Sequence, residues 1–263
     1  MKISIVTLSF NQCTYLKEAM DSVLSQRYPD MEYIVVDPGS TDGSRELIDS
    51  YADHISRVIF EPDRGAADGL NRGFAAATGD VYGFLNADDL LFPGSLARVA
   101  EFFESHPNCQ VAMGDGFTID GAGKKLRHYR ARNFSTSHYF YGGARWLQQS
   151  TFFRAHAYRN SPKFNVENRT CWDGELFVNF VDQGAKIGYI HANLGGFRIH
   201  ESSISGSGRL NEQFQNDSRR IFFEVTGRKW RKIDQLFCYL YRANGILADV
   251  GSRIWMPRRT GRV

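Results

Sequence analysis

Paired cysteines are missing from this 263-residue sequence: Cys13, Cys109, Cys171 and Cys238 stand far apart. None has the close spacing of a zinc half-site or a redox dithiol, and the four fit reduced structural thiols in an intracellular compartment. Long apolar runs are missing too, and with them any helix able to span a bilayer. Met1–Val6 enters a strand directly, without the layout of a signal peptide. The expectation is a soluble, cytoplasmic chain. No GxGxxG follows the first strand and no GxxxxGK followed by Ser or Thr occurs anywhere, which argues against dinucleotide and P-loop sites. No internal repeat or low-complexity tract is evident.

What is present suffices for a substantial core: 42% of residues are hydrophobic and 14% aromatic, enough for one large domain or one domain with a small addition. The net charge of +3 is unevenly spread. From Arg228 onward nine Lys or Arg face only Asp234 and Asp249, a balance of +7 that leaves about −4 for the rest. Within residues 228–263, Trp230, Ile233, Phe237, Leu240, Tyr241, Leu247 and Ile254 recur at helical steps. This basic amphipathic tail fits either an anionic membrane surface, on the inner face of the membrane, or packing on its own domain or a partner subunit. Nucleic acid is not an expected partner of a chain otherwise acidic.

Strand and helix patterns alternate through residues 1–106. Ile3–Ser9, Glu32–Asp37, Arg57–Phe60 and Val81–Leu85 read as buried strands, separated by helical periodicity over Asn11–Pro29, Arg45–His54 and Ala66–Ala77 and followed by a helix over Gly94–Ser105. Short connections between them predict a mostly parallel, Rossmann-like sheet flanked by helices, with right-handed crossovers. After Pro107 the rhythm changes. Antiparallel strands are expected over Gln110–Asp120 and Lys125–Arg130, a loop over His138–Gly143, a helix over Trp172–Asp182 and one or two strands over Lys186–His200. The front half (1–106) resembles a nucleotide-binding layer and the back half (107–227) a smaller, mixed substrate-binding addition, with the tail following.

The chemistry concentrates where strands end. Asn86, Asp88 and Asp89 leave the carboxyl end of the fourth strand, where open α/β sheets bind ligands, and clustered acids there suit Mg2+ or Mn2+ on substrate phosphates. The plainer reading is a helix cap by Asp88 or Asp89. Asp37 ends the second strand and is a candidate acceptor of hydrogen bonds from a nucleobase or ribose, beside the capping turn Gly39-Ser40. Asp63-Arg64-Gly65 places a cation at the end of the third strand, and Asp68 and Asn71 lie on the next helix. Gln148-Gln149-Ser150-Thr151 reads either as acceptor-pocket lining, with Trp146 and Trp172 as stacking surfaces, or as an internal strand.

Taken in order, Ile3–Asn11, Val35–Gly43, Asp63-Arg64-Gly65 with Asn71 and Gly73, Phe84–Asp89, Trp172–Leu176 and Phe197-Arg198-Ile199-His200 with Ser202, Ser203 and Ser205 resemble inverting family 2 glycosyltransferases of the GT-A fold. The resemblance spans roughly residues 1–206 and implies a transferase that moves a sugar from a nucleotide donor, such as a UDP-sugar, to a saccharide or lipid-linked saccharide in surface-polysaccharide synthesis. It also implies residue roles. Thr7, Ser9, Phe10 and Asn11 line the base pocket with Asp37, Gly39 and Ser40. Asp63, Arg64, Asp68, Asn71, Asn86, Ala87 and Asp88 contact the nucleotide sugar. Asp88, with His200, holds a divalent metal. Asp173 is the general base, and Gln149, Trp172, Arg198 and His200 meet phosphate or acceptor. Asn86 departs from the family's first acid, Pro38 from its usual acid or glycine, and Trp172 from the Glu that often precedes the base. The competing classes are a nucleotidyltransferase, which lacks its usual Gly-rich, Lys-containing loop here, and a non-catalytic nucleotide-sugar-binding or scaffold subunit.

Overall fold

The structure, a computed structural model, describes residues 1–201 and 210–254, the last eleven of these as backbone only. Nine strands form one sheet in the order β3-β2-β1-β4-β8-β6-β9-β5, with β7 paired to β6. The first half comprises β1 (Ile3–Leu8), α1 (Cys13–Leu24), β2 (Met31–Val36), α2 (Ser44–Asp49), β3 (Arg57–Ile59), α3 (Ala66–Ala76), β4 (Val81–Asn86), β5 (Leu90–Leu91) and α4 (Ser95–Ser105). The second comprises β6 (Val111–Ile119), β7 (Lys125–Tyr129), α5 (Thr136–Tyr141), β8 (Thr151–Arg154), α6 (Ala155–Arg159), α7 (Trp172–Asp182), β9 (Ile187–Arg198), α8 (Asn211–Thr226) and α9 (Lys232–Ile254).

β1, β2, β3 and β4 are mutually parallel where they pair, as continuous apolar runs between helices require. Side-chain alternation then divides the core into two layers. Val6, Ile34, Val36 and Phe84 pack under α3 and α7, with Leu70, Phe74 and Phe177. Ile5, Tyr33, Val35 and Leu85 pack under α1 and α4, with Leu16, Met20, Leu96 and Phe103.

The second half is mixed: β8 runs antiparallel to β4 and β6, while β9 runs parallel to β6 and antiparallel to β5. Gly83 permits the β4–β8 junction, because a Cβ there would collide with the Phe152 ring. One expectation shifts. Of residues 138–143, read as a loop, those up to Tyr141 belong to α5, which Ser135 caps by accepting from the His138 amide at 3.2 Å. Within Lys186–His200, read as one or two strands, β9 is a single strand, its register shifted near Asp115 where it follows β6.

The described part of the tail packs on the domain. Asp234 is enclosed by Arg228 (2.6 Å) and Tyr141 (2.9 Å), and Tyr141 also packs against Trp230, Phe237 and Tyr241.

Candidate functional site

β1 is the centre of the parallel half. Leu8 is in register with Val36 on one side and Asn86 on the other, so the segments leaving β1, β2 and β4 emerge side by side. This brings the Asp37 and Asp88 segments to one edge of the sheet, as their positions at strand ends require.

Asp37 is fully buried, and its carboxylate accepts from the Gly39 amide (3.1 Å), the Ser40 amide (2.8 Å) and hydroxyl (2.6 Å), and Arg45 Nε (3.3 Å). Burial alone would raise its pKa; the Ser40 donors and then Gly39 outweigh it and hold the group below the usual carboxylate range. In place of the direct base contact expected of it, Asp37 builds the turn. Asn11 extends that turn by accepting from the Thr41 amide at 2.9 Å, while Ser40 Oγ accepts from the Asn11 amide at 2.8 Å. Open at this edge are the Phe10 ring, 58% exposed, and Gly39, where a Cβ would meet nothing. Ser9 is buried, and Thr7 is sealed in the core with its hydroxyl accepting from Tyr33 at 3.0 Å, which corrects the expectation that Thr7 lines a pocket.

After β4, Asn86 Nδ2 lies 3.3 Å from both Asp89 Oδ2 and Gln148 Oε1, and Gln148 in turn donates to the Phe84 carbonyl at 2.7 Å. Asp89 is buried and accepts from the Arg198 amide at 2.8 Å; burial, and then the neighbouring Asp88 charge, raise its pKa well above the usual range. An amide at position 86 donates to that carboxyl where an acid would repel it. Ala87 is buried, its amide donating to the Leu8 carbonyl at 2.9 Å.

Asp88 keeps an accessible edge and meets His200 Nε2 at 3.0 Å. A carboxylate oxygen and an imidazole nitrogen together suit a divalent cation that takes its remaining ligands from phosphate and water. Among the described residues no third His, Cys, Asp or Glu joins them. Arg198 corrects its expected role in phosphate binding. It is 1% exposed, and its guanidinium donates to the carbonyls of Asp88 (2.7 Å), Asp120 (3.2 Å) and Gly121 (2.8 Å) and to Glu18 Oε2 (2.6 Å). The ring of Tyr15 lies 4.9 Å from that guanidinium and 4.7 Å from the His200 ring. Tyr15 and Glu18, three apart on one face of α1, thus hold the Asp88–Asp89 turn through Arg198. Nothing in the helical periodicity of Asn11–Pro29 marks either residue for this role. Ser202, Ser203 and Ser205 lie outside the described residues.

On the β3 side, the Arg64 side chain is two-thirds exposed and 3.8 Å from Asp68. Asp68 accepts from the Arg64 amide at 3.0 Å and from Arg72 at 3.3 Å. Asp63 accepts from the Gly65 amide at 2.8 Å, and burial raises its pKa. Asn71 is a structural tie, which corrects its placement on the nucleotide. Its amide bonds Phe164 O (2.9 Å), Tyr158 Oη (2.7 Å) and the Phe164 amide (3.1 Å), leaving it engaged on both ends.

Asp173 occupies the first turn of α7, partly exposed, with Oδ1 accepting from the Gly174 amide at 2.8 Å. Burial raises its pKa to about 6, against the lowering effect of that amide. The nearby Glu175 cannot take the same role. Arg220 of α8 grips it through both guanidinium nitrogens at 2.8 Å, Asn168 donates at 2.6 Å, and the group is held below its ordinary pKa despite burial. Trp172, expected as a stacking surface for a sugar, is only 9% exposed and packs on Phe84 and Phe164, both at 5.6 Å between ring centroids. It rivets the start of α7 to β4 two residues before Asn86. Tyr139 of α5 covers the same turn so closely that only glycine fits at position 174. Gln149 is likewise no pocket wall. It is 1% exposed, and neither end of its amide has a hydrogen-bond partner among the described residues.

The sequence profile described as Glycosyl transferase family 2 matches residues 4–161. An uncharacterised glycosyltransferase of Nostoc is 38% identical over 131 residues, covering 46% of this chain and 41% of that protein, so the chain spans about two-fifths of that relative's length. EpsE of Bacillus subtilis, which carries a glycosyltransferase designation, is 29% identical over 194 residues, 70% of this chain and 68% of its own. Among solved structures, S. aureus TarS 1–349 in complex with UDP-GlcNAc superposes with a TM-score of 0.71 at 16% identity, covering 94% of this chain and 72% of that one. Mannosyltransferase PcManGT from Pyrobaculum calidifontis, in complex with GDP-Man and Mn2+, gives 0.65 at 15% identity, covering 100% and 76%. At these identities the two structures speak for the fold alone, which is the GT-A arrangement expected. The family profile runs from the central strand past the helix after β8, through the strands that carry Asp37 and Asp88, and this chain belongs to glycosyl transferase family 2.

Proposed function

We propose that the chain transfers a glycosyl residue from a nucleoside-diphosphate sugar, a UDP-sugar in the first instance, to a hydroxyl of a saccharide or lipid-linked saccharide acceptor, with inversion, in surface-polysaccharide assembly. The observation that carries this reading is Asp173: a carboxylate raised to about 6, without an ion pair among the described residues, on a helix start riveted to the strand that ends at Asn86, just before Asp88. A base titrating near neutrality is matched to removing a hydroxyl proton during attack. The acceptor oxygen bonds to the anomeric carbon, the bond from that carbon to the diphosphate breaks, and the hydroxyl proton passes to Asp173. With one base and no covalent intermediate, displacement is single and the anomeric centre inverts. Phe10 and the open backbone at Gly39 offer a surface for the nucleobase, and Arg64 has a free guanidinium edge for phosphate. Asp88 and His200 would hold Mg2+ or Mn2+, which when bound supplies charge neutralisation to the departing diphosphate.

The test is thermal melting with UDP, GDP, dTDP and CMP, each with and without Mn2+, on the parent and on Asp88→Ala. One nucleotide should raise the melting temperature only with metal, and only in the parent. No shift at millimolar ligand would remove the donor site from this edge of the sheet.

A further inference from the structure

Among the described residues, most exposed large hydrophobic side chains outside the candidate site lie on α9 and α8. Ile233, Leu236 and Leu240 fall on one stripe at helical spacing, with Tyr239 beside it, and are 50–73% exposed. The neighbouring face of α9 is already used: Asp234, Phe237 and Tyr241 dock on α5 through Tyr141 and His138. The outer stripe is therefore not a core face awaiting its own domain. Phe223 and Phe214 of α8 are each 49% exposed.

Cations border this surface. Arg219, Arg220, Phe223, Lys229 and Trp230 line a hollow where α8 gives way to α9. Arg220 is committed to Glu175 and Glu224, but Arg219, Lys229, Arg231 and Lys232 pair with no described acid. Cations and the Trp230 indole line the hollow, and the chain runs from it straight into α9 with its apolar stripe; that combination suits a bilayer surface, where phosphate headgroups overlie acyl chains and aromatic side chains sit at the boundary.

We propose that this face binds the surface of an anionic phospholipid bilayer, with a headgroup phosphate at Arg219 and Lys229 and with Ile233, Leu236, Tyr239 and Leu240 entering the headgroup–acyl boundary. Charge complementarity selects this occupant. A second copy docking by two-fold symmetry would bring the same unpaired cations against themselves, whereas anionic lipid attracts each of them. The proposal stands independently of the transfer reaction.

Vesicle flotation with the full chain tests it, comparing pure phosphatidylcholine with phosphatidylcholine containing phosphatidylglycerol. The parent should float with the anionic vesicles at 50 mM salt, remain below the neutral ones, and release as salt rises to 500 mM. Arg219→Ala with Lys229→Ala should weaken binding roughly thirtyfold, at about fivefold per cation, and Leu236→Ser with Leu240→Ser should abolish flotation. All four positions are solvent-exposed, and melting temperatures near the parent's would confirm intact folding. The proposal is overturned if the parent ignores anionic vesicles, if the charge variant floats like the parent, or if sedimentation shows a dimer that Leu236→Ser dissociates, since a second copy then covers the stripe.

Discussion

Replacing Asp173 by Asn removes a charge from a place that resists it. The carboxyl lies in the first turn of α7, where the helix dipole favours an anion, yet burial dominates and raises its pKa from 3.8 to about 6. Between those two values the folded chain binds more protons at this site than the unfolded chain does. Stability therefore falls as pH rises through that window and stays lower above it. The displacement corresponds to roughly 3 kcal/mol at 1.36 kcal/mol per unit, and solvent contact at a partly exposed group brings the expectation to about 1.5–3 kcal/mol. Asp173→Asn escapes this step. In melting experiments from pH 4 to 8, parent and variant should coincide near pH 4 and separate above pH 6. The variant should then be higher by about 3–12 °C, at roughly 2–4 °C per kcal/mol for a chain of this size. Transfer should fall by about two to four orders of magnitude, and the parent's kcat/KM should rise with pH through about 6. A variant no more stable than the parent at pH 8, or a difference independent of pH, would refute the assignment of a burial-strained base.

Glu32 works in the opposite sense. Burial would raise its pKa, but donors from Ser4 (2.5 Å), Thr78 and Lys2 hold it down at about 2, so roughly 3 kcal/mol of stability is present above pH 4.5 and lost as pH falls toward 2. Urea unfolding of Glu32→Gln should show lower stability than the parent at pH 7 and a much smaller decline by pH 3. Asn86→Asp would set a second carboxylate 3.3 Å from Asp89. The melting temperature should drop by several degrees in EDTA and recover in Mn2+, and insensitivity to metal would argue against a cation at this turn. Gln149→Leu removes an amide with no partner among the described residues and should raise the melting temperature by about 2–12 °C, from roughly 1–3 kcal/mol of relieved desolvation. A decrease would mean that the amide is satisfied in solution by an internal water.

The order of strands and helices in residues 1–106 was legible because each element solves a local problem. Runs such as Ile3–Leu8 and Met31–Val36 are apolar on both faces, which only a covered parallel strand accommodates, and α1 and α3 carry one apolar stripe each. The motif positions at strand ends were legible for the same reason, as was the helix over Trp172–Asp182, whose bounds match the reading. Which side chains face a ligand was not. Thr7, Asn71, Trp172 and Arg198 carry suggestive chemistry, but each is held inward by partners 26 to 180 positions away in sequence. Burial and hydrogen-bond saturation are properties of those distant contacts, so no local pattern records them. The same holds for the choice of Asp173 over Glu175. The two acids lie two apart in one helical turn, and only Arg220, arriving on α8 from 45 residues downstream, neutralises one and leaves the other strained. Local periodicity determined the elements and their order; desolvation and pairing across the assembled chain decided which of these two carboxylates is ion-paired and which is raised by burial.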